Sequence, residues 1–139
     1  MALDSSIIDY HDPILITGSN GFIGSRVVES LLSYGFKNLK CFVRPSSNLS
    51  RLNRIIDAFD NINAEIIRGN LLSPENCDYA TKEVKVVYHL AAGVEKSFPG
   101  CFQNSVVATK NLLESIRRNE SFKRFLNVSS FFAGFLSNA

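Results

Sequence analysis

A chain of 139 residues is long enough for one domain with a buried core and too short for a typical two-domain enzyme. With 45% hydrophobic and 20% charged residues it has the composition of a soluble globular protein, and a formal net charge of +2 gives no argument for nucleic acid as a partner. No apolar run approaches the roughly 18 residues that span a bilayer, and residues 1–12 have neither the basic start nor the apolar core of a secretory leader, so a cytoplasmic protein with no membrane partner is expected.

Residues 1–12 read as a flexible N-terminal arm, and Pro13 marks entry into a first strand over Ile14, Leu15 and Ile16. A glycine-rich turn follows, and behind it Val27, Val28, Leu31 and Leu32 repeat at helical spacing, with Gly35 as the C-terminal stop. Residues 39–43 form a second strand. The loop Arg44-Pro45-Ser46-Ser47-Asn48 leads into a helix that places Leu49, Leu52, Ile55, Ile56 and Phe59 on one face. Residues 64–68 read as a short third strand. Ser73-Pro74-Glu75 opens a short helix as an N-cap followed by proline at the first helical position.

The run 84–92 is apolar apart from Lys85 and His89, as expected of a strand buried on both faces of a parallel sheet. Phe102, Val106, Thr109, Leu113 and Ile116 mark a long amphipathic helix over 101–118, and residues 125–129 the last strand, ahead of Phe131-Phe132-Ala133-Gly134-Phe135-Leu136. This alternation predicts a three-layer, doubly wound α/β domain over 13–139, with about five parallel strands in the order 3-2-1-4-5 and right-handed crossovers. Cys41, Cys77 and Cys101 are widely spaced, with no C-x-x-C pair and no nearby histidine pair, which predicts free thiols and no metal site.

The turn Thr17-Gly18-Ser19-Asn20-Gly21-Phe22-Ile23-Gly24 is the segment with the most chemistry in it. Gly18 permits the tight turn off the strand, Gly21 lets backbone amides approach phosphates, and Gly24 lets the helix pack close to the sheet. The helix start adds unpaired N–H groups and partial positive charge, so the segment is suited to a dinucleotide's pyrophosphate. Its spacing is G-x-x-G-x-x-G, one residue longer in the first gap than G-x-G-x-x-G. About 20 residues on, where an acidic side chain would accept hydrogen bonds from a ribose 2′-hydroxyl, the chain carries Arg44, whose guanidinium pairs with a 2′-phosphate; NADP(H) is therefore favoured over NAD(H).

Several segments, spread over nearly the entire chain, together resemble the extended short-chain dehydrogenase/reductase family, which includes NAD-dependent epimerases and dehydratases and dihydroflavonol reductase-like enzymes. They are the glycine turn, Phe42-Val43-Arg44-Pro45, Arg68-Gly69-Asn70-Leu71, Tyr88-His89-Leu90-Ala91-Ala92, residues 104–114 and Phe125-Leu126-Asn127-Val128-Ser129-Ser130. The resemblance implies the Rossmann fold and a cofactor-binding set of Gly18, Ser19, Asn20, Gly21, Phe22, Ile23, Gly24, Arg44, Asn70, Leu71, Leu90, Ala91 and Ala92. Asn70 stands where many members have an aspartate contacting the adenine amino group, and its carbonyl can accept the same bond. Ser130 matches the hydroxyl that hydrogen-bonds the reacting substrate oxygen, and is the expected catalytic residue. His89 is expected to be a core histidine bonded to backbone; Asn104 and Thr109 belong to a helix signature that is partly structural. The helix 101–118 is where members of the family often pair as homodimers.

The family's proton transfer depends on Y-x-x-x-K, in which the lysine lowers the tyrosine's pKa from about 10 toward neutrality. None of Tyr10, Tyr34, Tyr79 and Tyr88 has a lysine four residues later. The expectation is an NADP(H)-binding part of a reductase, epimerase or dehydratase, incomplete at its C-terminus, that binds cofactor but is inactive alone and meets a small-molecule substrate only in a full-length form. The alternative is a nucleotide-sensing or interaction protein of the same fold, which leaves its status as an enzyme open.

Overall fold

In the computed structural model, which describes residues 6–93 and 97–128, the apolar run behind Pro13 forms β1 (Ile14–Thr17), all four residues of it buried. Such a strand needs cover on both faces, and the chain supplies it by alternating strands with helices. After α1 (Phe22–Ser33), β2 (Asn38–Val43) pairs with β1 in parallel, Ile16 opposite Cys41. After α2 (Ser50–Ile56), β3 (Asn63–Arg68) pairs with β2, Val43 opposite Arg68. The chain then crosses by α3 (Pro74–Thr81) to the other side of β1, where β4 (Val86–His89) lies with His89 opposite Thr17. A continuous helical stretch of α4 (Phe98–Phe102), a π-helical turn (Gln103–Val107) and α5 (Ala108–Ile116) leads to β5 (Arg124–Asn127). The sheet is five-stranded, in the order β3-β2-β1-β4-β5, as the alternation predicts.

The period-2 alternation of the strands divides the core into two. Ile14, Ile16, Leu39, Cys41, Val43 and Val86 face Val28, Leu31 and Leu32 of α1 and Leu52 of α2. Leu15, Phe42, Ile67 and Val87 face Cys77 and Ala80 of α3 and Ala108, Leu112 and Ile116 of α5. Each fully buried aliphatic side chain contributes about 1.5–3 kcal/mol of burial. Helix ends follow the sequence signals. Gly35, at φ +95°, closes α1 with two bonds that reach back into it, from Gly35 N–H to Leu32 and from Phe36 N–H to Leu31. The Ser73 hydroxyl accepts from Asn76 N–H at 3.3 Å to start α3.

Three expectations differ in detail. The helix predicted through Phe59 ends as α2 at Ile56, although Phe59 still packs on the core. The strand predicted over 84–92 leaves the ladder after His89. The largest difference lies in the helix predicted over 101–118. Its buried side is Ala108, Leu112, Ser115 and Ile116, while Phe102, Val106 and Leu113 are exposed. The small side chains of Ala108 and Ser115 let the helix lie close to its neighbours, and the π turn interrupts the 3.6-residue period from which the expected face was read.

The described part of the expected flexible arm is tied down. Tyr10 packs against Phe36 with tilted rings whose centroids lie 5.3 Å apart, and the Tyr10 carbonyl accepts from Lys37 N–H at 2.8 Å. No helix among the described residues is long and apolar enough to cross a membrane.

Candidate functional site

Strand order reverses at β1, since β2 and β3 extend to one side and β4 and β5 to the other; a crevice opens at the carboxyl ends of such strands. Here it is a cleft of about 700 Å³. Its floor is the glycine turn. Gly18 has φ +68°, and a Cβ there would stand 3.0 Å from Ala91 N, so both the turn and the neighbouring strand exit require glycine. A Cβ on Gly24 would come within 2.0 Å of the Gly18 carbonyl oxygen, so the helix start lies directly against the turn. Gly21 N–H closes the turn onto Gly18 at 3.0 Å. The first helical bond of α1 is made by Ser25 N–H to Gly21, and the Gly21 N-cap offers no side chain, so the amides of Phe22, Ile23 and Gly24 lack an intrahelical acceptor.

Of the expected cofactor residues, Gly18, Asn20, Gly21, Arg44, Asn70, Leu71, Leu90, Ala91 and Ala92 line this cleft together. Four do not. Ser19 is buried, its hydroxyl donating to the Phe42 carbonyl at 3.2 Å, which stitches the turn to β2. Phe22 and Ile23, 75% and 58% exposed, stand on the first turn of α1 outside the cleft lining, and Gly24 is buried beneath the turn. Ser130, with Ser129, lies outside the described residues. Phe42, Ser46, Ser47, Gly69, Asn104 and Ala108 also line the cleft but were not among the expected cofactor residues. The hydroxyls of Ser46 and Ser47 were legible in the loop composition, but their direction depends on how the loop folds back.

Arg44 is exposed, and its guanidinium makes no hydrogen bond or ion pair among the described residues. Its carbonyl accepts from Ser47 N–H at 3.0 Å, closing a turn with Pro45 at the first corner, a position suited to proline's fixed φ. Asn70 is more constrained than the sequence suggests. Its Oδ1 already accepts from Leu72 N–H at 2.9 Å, and its own N–H donates to Asn76 Oδ1 at 2.9 Å. As an acceptor, Oδ1 has only its second lone pair left for a ligand.

His89 departs from its expected backbone partners. Nδ1 lies 2.7 Å from the Thr17 hydroxyl and Nε2 lies 2.8 Å from the Thr109 hydroxyl. Thr17 Oγ1 also accepts from the Leu90 and Ala91 amides at 3.2 Å, so its proton is left for Nδ1. The imidazole is then the Nε2–H tautomer, donating to Thr109, whose hydroxyl donates to the Ser105 carbonyl in the π turn. Burial lowers the His89 pKa to about 4, which keeps the ring neutral. Together these bonds fix the Leu90–Ala91 backbone against Gly18. The Ser105 hydroxyl, accepting from Gly93 N–H at 3.1 Å, secures the next turn of the same loop.

Burial pushes the Cys41 thiol up to about 12 and the Cys77 thiol up to about 11, so neither offers a thiolate near neutral pH. Among the described residues there is no cluster of His, Cys, Asp and Glu that would hold a metal.

The chain is 33% identical over 125 residues to dTDP-D-glucose 4,6-dehydratase of Dictyostelium discoideum, a match covering 84% of this chain and 28% of that protein. It is 29% identical over 131 residues to aldehyde reductase 2 of Sporidiobolus salmonicolor, covering 92% of this chain and 38% of that protein. It thus spans about a third of the length of these relatives. A solved structure of uronate dehydrogenase from Agrobacterium tumefaciens, a variant complexed with NAD, superposes with a TM-score of 0.65 at 21% identity over 86% of this chain and 41% of that one, a likeness of fold. The sequence profile of the GDP-mannose 4,6 dehydratase family matches residues 15–131, almost the whole span from β1 to the last strand. By that match and by the parallel sheet that carries it, the chain belongs to the GDP-mannose 4,6 dehydratase family of extended short-chain dehydrogenase/reductases.

Proposed function

We propose that the cleft binds a nicotinamide dinucleotide, NADP(H) in preference to NAD(H), as the cofactor site of an enzyme that moves hydride to or from a carbonyl or alcohol carbon. The observation that carries this reading is the glycine turn: Gly18 and Gly21 line the cleft, and the uncapped start of the helix behind them leaves three amides without an intrahelical acceptor. The residues fit the group: the amides and Asn20 hold the pyrophosphate, Asn70 and Leu71 the adenine, and Leu90, Ala91 and Ala92 lie along the nicotinamide side. The free Arg44 guanidinium stands at the end of β2, where a ribose 2′-phosphate would make a charge-assisted, bidentate pair. The nicotinamide, when bound, supplies or accepts the hydride. Ser130 is the hydroxyl that hydrogen-bonds the substrate oxygen.

Relatives named as a dehydratase and as a reductase favour this class of chemistry. The reading of a nucleotide-sensing or interaction protein draws on one observation, the outward flank of the 98–116 helix. Phe98, Phe102, Val106 and Leu113 are 81%, 46%, 52% and 42% exposed, a surface suited to pairing two copies in either case.

The test is titration of the chain with NADPH and NADH, following nicotinamide fluorescence. Wild type should prefer NADPH, and Arg44→Ala should lose roughly tenfold or more in NADPH affinity with NADH little changed. Equal affinity for the two nucleotides in wild type would remove the 2′-phosphate assignment, and no binding of either by the folded chain would remove the cofactor site.

A further inference from the structure

We infer that Arg68, which does not line the cleft, is a positioning residue for the 2′-phosphate: its guanidinium holds the loop that carries Arg44 and so sets the preference for NADP(H) over NAD(H). The inference rests on the cofactor reading above and deepens it. Arg68 is the last residue of β3 and stands in register with Val43, the last residue of β2, so both side chains leave the same face of the sheet. Gly69 N–H prolongs the pairing, donating to the Val43 carbonyl at 3.0 Å. From this anchored position, Arg68 Nη1 donates to the Pro45 carbonyl and, at 3.4 Å, to that of Ser47.

Those two carbonyls flank Ser46 in the turn that Arg44 begins. The turn is an exposed strand-to-helix connection, with one internal bond, Ser47 N–H to Arg44, and an Asn48 side chain that accepts from Ser50 N–H at 2.9 Å as α2 starts. Without Arg68, the carbonyls of Pro45 and Ser47 would have only water as partners, and nothing else among the described hydrogen bonds ties the middle of the turn to the sheet. A guanidinium that bridges two carbonyls selects one loop conformation before the ligand arrives, which reduces the ordering cost of binding. The contact acts on one end of the ligand. The loop residues Arg44, Ser46 and Ser47 line the side of the cleft assigned to the adenosine ribose, whereas the glycine turn and the Leu90–Ala92 backbone are held by the separate Thr17–His89–Thr109 bonds. Loss of Arg68 therefore weakens binding that depends on the 2′-phosphate and leaves the rest of the cofactor site in place.

The experiment compares wild type, Arg68→Gln and Arg44→Ala in affinity for NADPH, NADH, adenosine 2′,5′-bisphosphate and adenosine 5′-monophosphate. Each is measured at low salt and at about 0.5 M salt, where charges are screened over about 4 Å. Arg68→Gln should bind NADPH and the bisphosphate roughly three- to tenfold more weakly, with NADH and the monophosphate unchanged, and that ratio to wild type should persist at high salt. Amide exchange at Ser46–Asn48 should rise in the same variant without ligand. Equal loss for all four ligands would make Arg68 a general structural residue and overturn the inference, as would a selective loss that vanishes at high salt, which would make it a remote charge. Arg68→Gln behaving as wild type while Arg44→Ala loses its preference would overturn the inference and leave the cofactor reading standing; absence of any NADPH preference in wild type would overturn both.

Discussion

At the scale of single residues, the least expected feature is the wiring of His89. A strand-end histidine in an apolar run reads as a core residue, and so it is, but its partners are two threonine hydroxyls drawn from β1 and α5. Neither pairing is visible in sequence, because Thr17 and Thr109 lie 72 and 20 positions away. The network has a consequence for pH. With a folded pKa near 4 and an unfolded value near 6.5, the unfolded chain binds the extra proton first as pH falls. The stabilisation is complete above about pH 6.5 and is lost as pH drops toward 4, by roughly 3 kcal/mol at most. Urea melts from pH 7 to pH 4 should show this extra acid sensitivity in wild type and not in His89→Gln; parallel curves for the two proteins would contradict the burial of a neutral ring. Asn70 makes a related point. Its side chain was legible as an acceptor for adenine, yet a local turn to Leu72 already occupies one of its two lone pairs.

At the scale of elements, the strands and most helix limits follow from local rules, since a buried strand is a short apolar run and a helix stop is a glycine at positive φ. The 98–116 helix shows where such rules give out. The sequence pattern places Phe102, Val106, Leu113 and Ile116 on its buried face, whereas of these only Ile116 is buried, together with Leu112 and the small residues Ala108 and Ser115. Leu112→Ala should accordingly cost about 2–4 kcal/mol in chemical denaturation, and Leu113→Gln less than about 0.5 kcal/mol, with weakened self-association if two copies pair through this flank. A larger cost for Leu113→Gln than for Leu112→Ala would place the buried face where the sequence pattern puts it.

At the scale of the whole molecule, the cleft exists because strand order reverses at β1 and brings five separate chain segments together at the carboxyl ends of the strands. Binding there should stabilise the fold as a unit. At about one hundred times its dissociation constant NADPH adds about 2.7 kcal/mol, which for a domain of this size raises Tm by roughly 8 °C. NADH at the same concentration should raise it less, and equal shifts would argue against selectivity at the Arg44 end.

The strand-helix alternation, the glycine turn and Arg44 behind β2 are local patterns, because each depends on the conformational preferences of a few adjacent residues, and from them the parallel sheet, its strand order and the class of ligand site could be read before any coordinates. Tertiary structure alone decided which side chains of that set reach the cleft. Ser19 turns inward to β2, Ser46 and Ser47 join the lining, and Arg68 comes under a loop more than twenty residues earlier in the chain. These outcomes depend on distances between segments remote in sequence, set by strand register and by how closely helices approach the sheet, and no local preference encodes them.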